Sequence, residues 1–148
     1  MSFDVVAVTD QQGGIVAPDL LAAAEPVHCQ LRPHLAGCYV ETMQRVFADG
    51  AEMCVLLEGV EIRAVALFRV YENTFAGVHM YVDDLVTDDN YRSRGAGRAL
   101  LSHLQQLAVA RGCDNLVLDS GTHRTRAHAF YFREGYFITS FHFVKRLK

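Results

Sequence analysis

The chain has 148 residues, 51% of them hydrophobic and 21% charged, with a formal net charge of −3. One core of ordinary size follows, which excludes wholesale disorder and a disulfide-stapled mini-protein. No apolar run approaches the ~18 residues of a membrane span, and the start Met1-Ser2-Phe3-Asp4-Val5 lacks a basic signal-peptide flank, so export and membrane insertion are not expected.

From the N-terminus, Phe3 to Thr9 alternates as a first strand, and Gln11-Gln12-Gly13-Gly14 turns the chain before Pro18, a first-turn proline of a short helix through Ala24. Leu35, Tyr39, Met43, Val46 and Phe47 share one face of a helix from Leu35 to Ala48, with Gly50 as its cap. Met53 to Leu57 and Ile62 to Tyr71 flank Glu58-Gly59 as an antiparallel hairpin, and Val78 to Thr87 follows as a third strand of that sheet. Leu100, Leu104, Leu107 and Ala108 stripe a helix from about Gly97, closed by Arg111 and Gly112. Leu116 to Leu118 reads as a buried strand, Thr125 to Glu134 as a helix ending at Gly135, and Tyr136 to Lys145 as a last strand with Phe137, Phe141 and Phe143 toward one side. Pairing of that strand with a second copy, in a homodimer, and cover within the monomer are both open. No repeat or linker divides the chain, so residues 1–148 form one α/β (α+β) domain with a mixed sheet and one parallel crossover.

Charge is unevenly spread. Residues 1–90 hold four arginines and fourteen acids, a net −10, while residues 91–148 hold ten Lys or Arg and three acids, a net +7. A basic C-terminal half suits a polyanion such as a pyrophosphate, and an acidic N-terminal half attracts a cation. Cys29, Cys38, Cys54 and Cys113 form no Cys-x-x-Cys pair and read mostly as buried, reduced thiols, which fits a cytoplasmic setting. The seven histidines show no metal spacing beyond the weak pair His123 and His128, so no metal is expected, and His79 reads as a partly exposed strand residue, with a place in the lining of the acceptor pocket as the alternative.

The strongest local signal is Arg92-Ser93-Arg94-Gly95-Ala96-Gly97-Arg98-Ala99, between a strand and the leucine-striped helix. Outward N–H groups at a helix N-terminus, glycines that let a ligand approach the backbone, and three arginines make a phosphate site. It is not a Walker loop, which needs Gly-Lys-Ser/Thr. The dinucleotide fingerprint fails at Leu100, where its third glycine belongs.

Arg92-x-x-Gly95-x-Gly97, preceded by Asp83-Asp84-Leu85-Val86-Thr87 and followed by Phe130-Tyr131-x-x-x-Gly135-Tyr136, resembles the GNAT superfamily of acyl-CoA-dependent N-acetyltransferases. The resemblance implies a central mixed sheet of about six to seven strands with a splayed parallel pair, flanked by about four helices. It implies acetyl-CoA as acyl donor. Arg94, Gly95, Ala96, Gly97, Arg98 and Ala99 would then hold the pyrophosphate, reinforced by Arg92, and the backbone of Leu85, Val86 and Thr87 would pair with the pantetheine amides. By the same resemblance Tyr131 protonates the departing thiolate. Arg124 stands where the family often has Asn, so that contact is not carried over; Arg124 meets a phosphate or only water.

An acceptor amine is mostly ammonium at neutral pH and needs a base, for which Asp83 and Asp84 are the candidates, with a water relay as the alternative. On a regular strand Met80, Val82, Asp84 and Val86 would share the core face, stranding Asp84 among apolar neighbours unless the strand bulges. The reading that follows is an N-acetyltransferase acting by direct attack on a small-molecule amine, cationic to match the acidic half, with neither nucleic acid nor membrane as partner. A protein or peptide N-acetyltransferase and a non-catalytic acyl-CoA-binding regulatory module are the alternatives.

Overall fold

A computed structural model describes residues 2–148. The chain divides into two compact units, a larger one ending at Val117 and a smaller one from Leu118 to Lys148. The larger unit is built on β1 (Asp4–Ala7), α1 (Pro18–Leu31), α2 (Tyr39–Ala48), β2 (Glu52–Glu58), β3 (Glu61–Asn73), β4 (Gly77–Thr87) and α3 (Ala96–Ala110), with β5 (Asn115–Leu118) at the junction. One five-stranded sheet runs β1-β2-β3-β4-β5. Its first four strands are successive antiparallel neighbours, and the α3 crossover brings β5 in parallel to β4. Asp114 N–H donates to Val78 O at 2.7 Å where that last pair begins.

Period-two alternation on β3 sorts the layers. Val65 and Leu67 face a core shared with Leu21, Ala24 and Val27 of α1 and Met43 and Phe47 of α2. Ala64, Ala66 and Phe68, of opposite parity, are buried on the other face, where α3 packs through Leu100, Leu101, Leu104 and Ala108. Both faces of the sheet are therefore covered, which is why β3 is an almost unbroken apolar run from Ile62 to Phe68.

Several expectations change. The first helix continues past Ala24 and through Pro26 to Leu31. A proline inside a helix costs about 3 kcal/mol, and burial of Leu21, Ala24, Val27 and His28 along one stripe offsets it. The second helix begins at Tyr39 rather than Leu35, after a short 3-10 turn at Pro33–Leu35. The sheet has five strands instead of six to seven, because residues 136–148, where the last strand was expected, carry neither strand nor helix. Of the four thiols, all unpaired, only Cys54 is buried; Cys29 and Cys113 are half-buried and Cys38 is exposed. His79 is buried, 1% exposed, its Nδ1 3.0 Å from Gly77 O and its ring against Tyr71.

In the smaller unit α4 (Thr125–Arg133) is followed by Gly135 with φ 88°. The rings of Phe130, Tyr131 and Tyr136 cluster with centroids 5.4 and 5.7 Å apart about Tyr131.

Candidate active site

The organising feature is a bulge in β4. Leu67 of β3 is opposite Asp84 and Phe68 is opposite Val82, so Asp83 has no counterpart. One extra residue reverses the parity of everything after it. Val82 and Met80 lie on the α3 face with Phe68 and Val70, whereas Asp84 and Val86 lie on the α1 face with Leu67 and Val65. The conflict posed by a carboxylate at a core position is resolved in this way, and Asp83 and Asp84 turn to one side of the sheet.

They meet different surroundings there. Asp84 is buried, and every partner comes from outside its own strand. Its Oδ2 is 2.7 Å from His28 Nε2, and its Oδ1 accepts from Arg32 Nε at 2.9 Å and Arg32 Nη2 at 2.7 Å. Burial by itself would raise the Asp84 pKa, but hydrogen bonds from His28 and Arg32, and their attraction, hold it below the usual carboxylate value. A carboxylate only accepts, so His28 Nε2 carries a proton. In the neutral ring Nδ1 then accepts from the Tyr39 hydroxyl at 2.8 Å. Burial, helped by nearby Cys29, Glu25 and Asp84, raises the Tyr39 pKa well above its usual value.

Asp83 faces an open cleft of about 510 Å³, lined also by Asp49, Gly50, Arg69, Tyr71 and Tyr81. Arg69 Nε donates to Asp83 Oδ2 at 2.9 Å, and Nη1 donates to Asp49 O at 2.8 Å. The hydrogen bond to Asp83 is the main reason the Arg69 pKa rises, against partial burial. Two carboxylates against one guanidinium leave the cleft a formal −1, with two tyrosine rings as walls. Asp49 follows α2, and a second cleft of about 520 Å³ runs along that helix past Thr42, Arg45 and Val46 to the same Asp49 and Arg69.

At its other end β4 leads through a 3-10 turn (Asp89–Tyr91) into the glycine loop. Gly95 precedes α3 with φ 88°, and no side chain caps the helix. Nothing lies within 4 Å of where a Gly95 Cβ would be, and Ala99 N–H is the first to close an intrahelical bond, to Gly95 O. The amides of the first turn thus aim outward at open space. Outward amides at Gly95, Ala96 and Gly97 have the chemistry an anion such as a pyrophosphate would need, whereas Ala99 N–H is already bonded within the helix. Arg92 is held by Asp89 at 2.5 Å, and Arg94 lies over the Tyr91 ring at 4.6 Å, with Arg63 at 3.8 Å from the same ring. Leu85 and Thr87 are half-buried and Val86 is 7% exposed.

Tyr131 belongs to the smaller unit. Burial raises its pKa and the Arg124 charge opposes the rise, so the hydroxyl keeps its proton at neutral pH. His28, Arg32 and Tyr39 were missed altogether. A histidine on the helical stripe of Leu21, Ala24 and Val27 was the available signal for the first; Arg69, also missed, was signalled as an arginine between Leu67 and Tyr71 on an apolar strand.

Comparison with known proteins bears on this geometry. Residues 21–136 match the Acetyltransferase (GNAT) family, a stretch that runs through both units. An uncharacterized N-acetyltransferase of Bacillus subtilis (strain 168), YhdJ, is 33% identical over 140 residues, 84% of this chain and 89% of its own. Among solved structures, AAC(6')-Iy in complex with a bisubstrate analog, CoA-S-monomethyl-acetylneamine, superposes with a TM-score of 0.81 at 14% identity, covering 100% of this chain and 99% of its own. A ribosomal-protein-alanine N-acetyltransferase of Brucella melitensis biovar Abortus 2308 has a TM-score of 0.79 at 15% identity, covering 99% and 100%. At those identities the structures speak for the fold.

Proposed function

Because the chain belongs to the GNAT family of acetyltransferases, we propose that it moves an acetyl group from acetyl-CoA to a primary amine of a small, cationic acceptor by direct attack in a ternary complex. The observation that carries this reading is the course of β4. One strand turns Asp83 into an acidic cleft at its bulge and leads into a glycine loop that opens α3 with no side-chain cap, which supports a pyrophosphate site there. Donor and acceptor held on one strand are held in line, and that alignment removes much of the entropic barrier to transfer.

In this reading the acceptor nitrogen forms the new N–C bond and the thioester C–S bond breaks. Asp83 accepts the ammonium proton, the second nitrogen proton released as the amide forms replaces the one that Tyr131 donates to the departing sulfur, and backbone N–H groups of the Leu85–Thr87 edge polarise the carbonyl. Arg92, Arg94 and Arg98 add positive charge around the loop amides. Asp84 has both carboxylate oxygens engaged by His28 and Arg32, which leaves Asp83 as the base that faces the cleft. The cationic acceptor rests on the two carboxylates of the cleft, and the cytoplasmic setting on four unpaired thiols. Residues 1–148 act as one acetyltransferase domain, and residues 136–145 either pair with a second copy in a homodimer or are covered within the monomer.

The test is acetyl-CoA consumption with polyamines, aminoglycosides, arylalkylamines, amino acids and basic peptides, read by mass spectrometry. Acetylation of a small cationic class is the expected result. Acetylation of peptides alone turns the reading to a protein acetyltransferase working along the α2 cleft, and CoA binding without any product turns it to a regulatory module. Tyr131→Phe should lower kcat by about 100-fold while changing acetyl-CoA affinity by less than about twofold; unchanged kcat removes Tyr131 as the acid.

A further inference from the structure

The last turn of α1 reaches β4 at two places. At the bulge, His28 and Arg32 bind the Asp84 carboxylate, and Arg32 Nη2 is 3.5 Å from Asp83 O. Beyond the strand's end, Gln30 Nε2 donates to Asp88 Oδ1 at 3.3 Å, and Asp89 N–H donates to Gln30 Oε1 at 2.8 Å. Between the two anchor points lie Leu85, Val86 and Thr87. The first anchor is also linked to α2, since Tyr39, its first residue, binds the far nitrogen of His28, and the loop after α2 carries Asp49 to the acceptor cleft.

Such an arrangement is costly to build. His28 is fully buried, and an ionised carboxylate beside it is tolerated only because both its oxygens are engaged. A leucine at position 28 would suit the stripe of Leu21, Ala24 and Val27 equally well if packing were the only demand. What the polar pair adds is direction. Hydrogen bonds hold a bulged strand at one height and rotation, whereas apolar contact lets it slide.

We propose that the last turn of α1 is a clamp for the acyl donor: His28 and Arg32 act as positioning residues that hold the β4 bulge through Asp84, Gln30 holds the strand's far end, and the edge Leu85–Thr87 is thereby fixed to receive the pantetheine arm. The inference rests on the acetyltransferase reading. It assigns no proton transfer to His28, which reaches the donor only through Asp84 and the backbone.

Calorimetric titration of the whole chain with two probes tests it. Acetyl-CoA needs both loop and strand edge; 3′-phosphoadenosine 5′-diphosphate, which lacks the pantetheine arm, needs only the loop. His28→Ala should weaken acetyl-CoA about tenfold and the nucleotide by less than about twofold. His28→Gln, which keeps an N–H donor near the Nε2 position, should restore most of the acetyl-CoA affinity. A role in stability alone predicts a lower Tm for His28→Ala with both affinities unchanged at temperatures where it is folded, which overturns the clamp. Equal weakening of both probes overturns it too, since the loop would then be what His28 supports. Should His28→Ala fail to fold, Gln30→Ala, on the exposed side of the clamp, must show the same split between probes, and its absence overturns the proposal. A parent chain that binds neither probe sinks the acetyltransferase reading itself, and the clamp with it.

Discussion

The region around the β4 bulge and the smaller unit treat their misfit residues in opposite ways. At the bulge, polar groups sit where apolar ones are expected, and each is engaged: His28, Asp84 and Tyr39 are under 10% exposed and joined by hydrogen bonds of 2.7–2.8 Å. In residues 136–148 apolar groups sit where polar ones are expected, with Phe137, Phe141 and Phe143 exposed by 79%, 85% and 93%. An engaged buried polar group fixes a geometry, whereas an uncovered row of rings calls for a partner. The first is a polar network completed within one chain; the second is a row of exposed rings.

The difference is sharpest in what each region loses on truncation. Phe47, 2% exposed and central to the α1–α2 core, is the reference point. Phe47→Ala should cost about 3–5 kcal/mol of unfolding free energy, measured by guanidinium titration, because the cavity under α2 cannot close. A loss below about 1 kcal/mol would mean that the core collapses around the gap and the larger unit is loosely packed.

Much of this organisation was legible in the sequence, and the reasons are local. The α3 stripe, the glycine loop and the β2–β3 hairpin depend on neighbours a few residues away, so periodicity and turn chemistry locate them. The bulge was legible only as a contradiction, a carboxylate of the same parity as Met80, Val82 and Val86. Its solution lies 56 residues away in His28, a distance over which pattern carries no information. The first helix runs to Leu31 rather than Ala24 because the buried stripe that carries it past Pro26 is a tertiary feature. For residues 136–145, alternation identifies a face, but a strand also needs a ladder partner, which alternation does not name.

A smaller effect separates backbone strain from ligand space in the loop. Gly95 has φ 88° with nothing within 4 Å of its would-be Cβ. Gly95→Ala should cost roughly 1–2 kcal/mol through left-handed strain alone. Gly95→Asn, which tolerates that conformation better, should recover most of the stability. If the loop holds a pyrophosphate as proposed, both should weaken CoA binding in calorimetry, since either side chain enters that space. Restored CoA affinity in Gly95→Asn would show that the loop needs the conformation and not the space.

The smallest expected change in stability belongs to the tail, and it is the most informative about what covers it. Three phenylalanine rings per copy, at roughly 150 Å² or more each, amount across two copies to on the order of 1,000 Å². That approaches the area of a stable protein interface, about 1,200–2,000 Å². The sheet offers a receptor for such a segment: β5 is an edge strand, and its residues Leu116, Val117 and Leu118 are apolar and half-buried. Exchange of residues 136–145 onto that edge in a second copy would satisfy both surfaces at once, as two-fold symmetry requires. If residues 136–145 pair with a second copy, as proposed, the parent chain is a dimer in light scattering and the double change Phe141→Ser with Phe143→Ser makes it a monomer, while shifting the unfolding free energy of the dilute chain by less than about 0.5 kcal/mol. An unchanged mass together with a loss of several kcal/mol would place both rings in the chain's own core and erase the contrast between the two regions.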